Sequence, residues 1–402
     1  MKFGWILMGV TMWAQVEFID VALEGVSGVT GISGAEELTL SPDGRHVYVT
    51  GAAGNSVAAF ERLPDGTLTM IAAYFDGLDG LDGLFGAQGV RVSADGLDVY
   101  VTGAGEDKLA HFRRSDLTGE LTFVRSYSNT VGGPTAMLGP VRLTLDPSDK
   151  HLYVSCVTSG SIVIFRRDPL DGSLTYSGTA TDGMGYDGLA GASGLAFDGA
   201  GRFLFVCGSG EDAIAVLERD GLTGLLSFVA VYRDGMGGID GIAGTNALAI
   251  SGRYLYATGF NDSALASFRI TLATGALSFL GASFDGVGPV DGLAGPIGVA
   301  VSADGGQVMV AGFSDDALAV FDRSGETLLF RQVVFDGSGG VDGLAGAVGV
   351  ISSADGKHVY ATGFSDSGVA QFERVSSLGS LIETWADLTS ILDLVTYVSA
   401  YP

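Results

Sequence analysis

The sequence predicts an all-β chain: a seven-bladed β-propeller of four-stranded antiparallel blades, the ring closed by an N-terminal strand. Three observations lead there. The stretch Ser41-Pro-Asp-Gly-Arg-His-Val-Tyr-Val-Thr-Gly51 reads as a turn followed by a strand, and its anchor returns at Tyr48, Tyr100, Tyr153, Phe205, Tyr256, Met309 and Tyr360. A second anchor keeps step at Phe60, Phe112, Phe165, Leu217, Phe268, Phe321 and Phe372. Each unit carries four short apolar runs separated by Gly- and Asp-rich turns, the mark of a β-meander. Two markers sharing a spacing of 51–53 residues through seven cycles define a repeat too small to bury its own apolar face, so neighbours must stack. Radial stacking leaves only short, protected sheet edges.

Taken in order, residues 1–14 read as a secretory signal: Lys2, an apolar run from Phe3 to Trp13, and Ala14 as the small residue for cleavage. Residues 15–378 make the propeller. Within them, residues 16–22 alternate partly at strand period, and Glu24-Gly25, Thr30-Gly31 and Gly34 then match the offsets of Asp285-Gly286, Asp291-Gly292 and Gly295. The front of the chain is therefore the tail of one repeat, and it is expected to supply the fourth strand of the last blade. The competing strand is residues 381–385.

In each repeat the first strand is a short run such as Val90-Arg-Val92, followed by a turn such as Ala94-Asp-Gly96. The second strand is typified by Asp98-Val-Tyr-Val-Thr102, the third by Leu109-Ala-His-Phe112 and the fourth by Leu226-Ser-Phe-Val-Ala-Val-Tyr232. Residues 379–402 form a tail in which Ile391, Leu394, Val395 and Val398 fall at helical spacing, as in a short capping helix.

Composition narrows the function. The net charge is −25, which argues against nucleic acid and anionic membrane surfaces, since both need a basic footprint. No stretch approaches the ~20 apolar residues of a spanning helix. The chain is expected to be a monomer, secreted, periplasmic or on the cell surface, whose partner is a protein or a small-molecule ligand. Cys156 and Cys207 end corresponding strands of consecutive repeats and read as small buried residues, with a disulfide between them as the other option.

Tyr48-Val-Thr-Gly51 and Tyr100-Val-Thr-Gly103, each preceded by Ser-Pro-Asp-Gly or Ser-Ala-Asp-Gly, resemble the YVTN-type seven-bladed propellers, and within them the lactonase-like family of 6-phosphogluconolactonase-type proteins. The resemblance covers residues 15–378. It implies the seven-bladed fold, and a family that holds lactone-hydrolysing and lactone-forming enzymes beside many secreted proteins with no known reaction. Its enzymes use Arg, His and Glu in a cleft on one face. His46, His151 and His358 each stand two places before the anchor Tyr, which reads as edge-facing filler, and His111 is in a third strand. No catalytic residue is carried over.

Two residue sets are candidates for chemistry. The inter-blade loops hold Asp76, Asp79 and Asp82, then Asp182 and Asp187, Asp234 and Asp240, Asp285 and Asp291, and Asp336 and Asp342. On the same rim come Glu106, Asp107, Glu211, Asp212, Asp262, Asp315, Asp316 and Asp366. Such carboxylates suit calcium, a hard cation that takes 6–8 oxygens, whereas Asp-Gly is also ordinary turn chemistry. No loop has the Asp-x-Asp-x-Asp-Gly spacing of a dedicated calcium site, and no other cofactor is indicated.

The second set comes from broken symmetry. The first strands begin with Glu36, Gln88, Val141, Ser193, Asn246, Ile297 and Val348. One place on, Glu37 and Arg142 stand where five repeats have Gly or Ala, and Arg91 replaces Thr, Ala or Ile. Glu36, Glu37, Gln88, Arg91, Arg142 and Asn246 are thus candidate ligand-binding residues at the mouth of the central channel, because guanidinium beside carboxylate can hold a small polar ligand. The competing and plainer reading is a polar plug of charge pairs filling a wide channel.

The close likeness of the blades favours a binding or scaffold module, whose acidic loops read first as turn chemistry, with calcium binding as the other option. The alternative is a lactonase-like hydrolase working through Glu36, Arg91 and Arg142. Nucleophile elbows, zinc-spaced Cys pairs, His-Glu-x-x-His and phosphate loops are absent from the sequence.

Overall fold

The computed structural model describes residues 14–129 and 136–376. Among them 28 strands form seven four-stranded antiparallel sheets arranged as a ring. Blade 1 consists of Ala35–Leu40, His46–Gly51, Ser56–Arg62 and Leu68–Phe75, running from the channel outward. The inner strands of blades 2 to 7 are Ala87–Val92, Pro140–Leu145, Ala192–Phe197, Thr245–Ser251, Pro296–Val301 and Ala347–Ser352.

Closure follows the expectation from the chain ends. Ala14–Leu23 pairs antiparallel with Gly368–Ser376, the third strand of blade 7, in the register Phe18↔Phe372 and Leu23↔Gly368. In blades 1 to 6 the outer strand carries a bulge opposite the Phe60-type anchor, as where Ala59 and Phe60 pair with Ala72 and Met70. The N-terminal strand has its bulge between Phe18 and Asp20, opposite Phe372, so it is the missing outer strand in full geometric detail. Residues 1–13, the competing strand at 381–385 and the tail helix lie outside the described residues.

The core lies between blades rather than within them. Tyr48 of blade 1 packs with Val99, Val101 and Phe112 of blade 2, and Tyr256 of blade 5 packs with Val308 and Phe321 of blade 6. All of these rings are at most 1% exposed, and each buried aromatic contributes roughly 1.5–3 kcal/mol. The tyrosine hydroxyls need partners once buried. Those of Tyr48, Tyr100 and Tyr360 donate to the carbonyls of Gly119, Gly172 and Gly66 at 2.6–2.8 Å. Each also accepts from the Nε of an arginine one blade on: Arg114, Arg167 and Arg62. At the blade 4–5 seam both members of this latch are apolar, Phe205 and Ile270.

These latches also settle the histidines. His46, His151 and His358 are 2–3% exposed, so they are not edge-facing filler. His46 and His358 contact Arg114 and Arg62, and His151 contacts Asp146. All three begin second strands whose far ends meet the inner-strand starts, which puts them on the opposite rim from the channel mouth described below. Cys156 and Cys207 are free and buried.

The inner strands converge closely. A Cβ added at Gly89, Gly194, Gly298 or Gly349 would lie 2.2–2.6 Å from a carbonyl of the next blade's inner strand. Glycine at this repeat position is what lets the ring tighten to a narrow channel. Glu37 and Arg142 occupy the same position in blades 1 and 3, so their long side chains stand where the rest of the ring has only glycine or Ala247.

Candidate functional site

Each inner strand starts beside the end of the second strand, as Ala35↔Gly51 shows. The inner-strand starts, the loops after the second strands and the inter-blade loops therefore share one rim. At its centre is a cavity of about 220 Å³ lined by Glu36, Gln88, Val141, Arg142, Val157, Ser193, Ser209, Asn246 and Ile297. Below it, a second cavity of about 100 Å³ is lined by Glu37, Arg91 and Arg142 among apolar inner-strand residues. Arg142 lines both. The fold thus brings the six polar residues singled out above into one channel: Glu36, Gln88, Arg142 and Asn246 at the mouth, Glu37 and Arg91 beneath. A larger groove of about 460 Å³ lies on the flank, between the outer strands of blades 2 and 3, and among the described residues that line it Arg125 alone is charged.

The electrostatics of the channel are unequal. Glu37 is 8% exposed and ion-paired on both oxygens, to Arg91 at 2.6 Å and to Arg142 at 3.4 Å. Two guanidinium groups share one carboxylate, so positive charge is left over toward the mouth. Glu36, one residue earlier, lines the mouth itself. Burial pushes its carboxyl above the ordinary glutamate range, and Glu37 adds to this while Arg142 opposes it. A carboxyl lifted toward neutrality beside a fixed guanidinium is the arrangement used for proton transfer next to developing negative charge.

The inter-blade acids are first of all turn staples. The carboxylates of Asp76, Asp182, Asp234, Asp285 and Asp336 accept backbone N–H groups seven or eight residues on. They also assemble into triads whose oxygens lie within 4.8 Å: Asp76, Asp82 and Glu106; Asp182, Asp187 and Glu211; Asp234, Asp240 and Asp262; Asp285, Asp291 and Asp315; Asp336, Asp342 and Asp366. Asp79 stays outside them, in a left-handed turn position with φ of 52°. In two triads a side-chain cation already bridges the acids: Lys108 holds Asp82 and Glu106, and Arg233 holds Asp187 and Glu211.

In the other three triads burial and the neighbouring carboxylates raise Asp234, Asp315 and Asp336 above the usual aspartate range. Oxygen donors in this number are part of what a divalent cation takes. A raised folded-state pKa means that ionisation weakens the fold as pH rises from the unfolded value near 3.9. Asp315→Asn is therefore expected to stabilise the protein by roughly 0.5 kcal/mol at pH 8, the scale of a screened pair, and to lose that advantage below about pH 4. Urea midpoints at the two pH values measure this. A calcium-dependent rise in Tm that Asp315→Asn abolishes would mark the triad as a metal site.

One set of residues on this rim escaped the sequence reading. The first residues after the second strands are Ala52, Ala104, Val157, Ser209, Phe260, Phe313 and Phe364. Val157 and Ser209 line the mouth, and Phe260, Phe313 and Phe364 hold the equivalent loop position in blades 5 to 7, on the same rim but outside the residues that line the cavity. The phenyl groups lean across the seams: they come within 3.1–3.3 Å of where a Cβ would stand on Gly295, Gly346 and Gly34 of the following blades. Repeat alignment at this position, rather than along the strands, would have revealed them.

Comparison with known proteins agrees with this architecture. A family model described as "Lactonase, 7-bladed beta-propeller" matches residues 26–186. A 6-phosphogluconolactonase of Bacillus subtilis (strain 168) is 29% identical over 147 residues, which is 36% of this chain and 40% of that protein. The chain thus aligns to about two fifths of the length of that curated relative. Among solved structures, the periplasmic gluconolactonase PpgL of Pseudomonas aeruginosa superposes with a TM-score of 0.63 at 22% identity, covering 75% of this chain and 86% of that one. A putative 6-phosphogluconolactonase of Bacteroides fragilis NCTC 9343 gives 0.60 at 18% identity, with 76% and 85% covered. At these identities the structures establish the shared fold. The family match and the curated relative overturn the reading as a binding or scaffold module and favour the lactonase alternative. That reading failed because it weighed the likeness of the blades, whereas the channel is lined by the few positions at which they differ.

Proposed function

We propose, from the premise that this chain resembles the lactonase-like seven-bladed β-propellers, that it hydrolyses a lactone at the channel mouth. The observation that carries the reading is the pairing of Arg142, tethered from below by Glu37, with the raised carboxyl of Glu36 in one cavity. Ionised Glu36 takes a proton from water as the water oxygen bonds to the lactone carbonyl carbon. The negative charge that develops on the carbonyl oxygen faces Arg142, a donor already oriented by its ion pair. When the ring C–O bond breaks, the proton on Glu36 passes to the departing oxygen, and the product is the open hydroxy acid. Gln88, Ser193 and Asn246 supply hydrogen-bonding groups around the same cavity. The signal sequence read in residues 1–14, and the periplasmic location in the name of one structural relative, support an exported enzyme.

The test is turnover above the spontaneous rate on a panel of δ-gluconolactone, 6-phosphogluconolactone and δ-valerolactone. Arg142→Ala is expected to lower kcat/KM about 10²-fold, the usual loss for one oxyanion donor. The acid limb of the pH profile should lie above the ordinary glutamate value of about 4.3, because the base works only when ionised. No turnover of any panel member by the intact protein sinks the reading.

A further inference from the structure

The mouth has two unlike walls, and they define a class of lactone. Blades 1 to 5 contribute Glu36, Gln88, Arg142, Ser193 and Asn246. Over blade 6 the mouth is lined by Ile297, over blade 7 Val348 lines the cavity beneath, and the loops after the second strands of blades 5 to 7 carry a collar of Phe260, Phe313 and Phe364 on the same rim. Phe260 is 36% exposed and the other two are half-buried, so the phenyl groups are available on the rim rather than consumed in the core. Hydroxyl groups of a substrate seated on this side would meet Ile297 and phenyl faces, and would lose their water for no partner. An alkyl or aryl group there would gain by burial.

Charge narrows the class further. The acid triads sit on this same rim, and only two of the five contain a bridging cation. Their field disfavours the approach of an anionic, phosphorylated substrate and leaves a neutral one unaffected.

Resting on the lactonase reading, we propose that the substrate is a neutral lactone with an apolar substituent. Its ester ring lies against Glu36 and Arg142, and its alkyl or aryl arm lies against Phe260, Phe313 and Phe364. These three phenylalanines then determine specificity and take no part in proton transfer.

The test compares δ-decalactone with δ-valerolactone, which share the reacting ring and differ in a pentyl arm. For the intact protein kcat/KM is expected to be about 10- to 100-fold higher for δ-decalactone. Phe313→Ala/Phe364→Ala is expected to bring the ratio to within about three-fold of unity, and Phe313→Leu/Phe364→Leu to retain most of it, since leucine keeps an apolar wall. Thermal melts of both variants show whether each is folded. A wild-type ratio near one, or a ratio that the alanine variant leaves unchanged, overturns the proposal.

Binding separates this failure from failure of the lactonase reading. The non-hydrolysable lactam analogue of δ-decalactone is titrated calorimetrically into the same three proteins. Binding that the alanine variant loses supports the apolar wall even if no lactone is turned over. Absence of binding to the intact protein overturns it even if δ-gluconolactone is hydrolysed.

Discussion

On the proposed lactone hydrolysis, Glu36→Gln is expected to lower kcat/KM by about 10²- to 10⁴-fold, the span associated with loss of a positioned general base. The substitution keeps the shape of the side chain and an acceptor oxygen, but it removes the group that can carry a proton. Because burial lifts the Glu36 carboxyl above the ordinary range, the wild-type fold works against its ionisation. Glutamine ends that cost, so the variant should melt at or slightly above the wild-type temperature while losing activity. This opposite movement of stability and rate is the signature to look for. A variant that loses stability and rate together would point to a structural role for Glu36, and one that keeps its rate would remove it from the mechanism. Glu37→Gln is a different experiment. It takes the ion-pair partner from both Arg91 and Arg142, so the loss should appear with a destabilised fold.

Deletion of residues 14–23 opens the ring. The deleted strand brings Val16 and Ala22, 2% and 4% exposed, into interfaces on both sides of blade 7. Phe18 meets Phe372 edge-on at 5.8 Å. Gln332 of blade 6 clasps the backbone of Val16 from both sides, accepting from its N–H and donating to its carbonyl. Without the strand, Gly368–Ser376 becomes a free edge and the apolar cluster beneath it meets water. The expected result is a Tm lower by roughly 10 °C, or loss of the cooperative transition, since the contacts removed are comparable to the ~5–15 kcal/mol that holds a whole domain together. Calorimetry of the deleted chain measures it. A melt like that of the full chain would mean that another segment completes the blade.

The fold was legible because every blade solves the same packing problem with the same residue types. Tyr48 and Phe60 recur because one buried aromatic per strand fills the seam to the next blade. The outer strand of blade 7 could be placed because the loop after it has full repeat spacing. The site was legible where symmetry breaks along the inner strands, at Glu36, Glu37, Gln88, Arg91, Arg142 and Asn246. It was not legible at Phe260, Phe313 and Phe364, since phenylalanine after a strand looks like core until its neighbours are known. Nor could spacing say that His46 and His358 sit against arginines of the adjacent blade, on the rim away from the mouth.

By itself, then, the sequence determined the number of blades, the order of strands, the strand that shuts the ring and the positions at which the channel departs from symmetry. All of these are periodic or local, and a period survives without coordinates. Only the tertiary structure decided which departures meet. The channel gathers one short strand from each of seven blades, and narrowness at Gly89, Gly194, Gly298 and Gly349 forces Glu37 into contact with both Arg91 and Arg142. The raised carboxyl of Glu36 and the gathering of Gln88, Arg142, Ser193 and Asn246 around one cavity follow from that convergence. Burial and charge are sums over neighbours distant in the chain, and no spacing along one strand contains them.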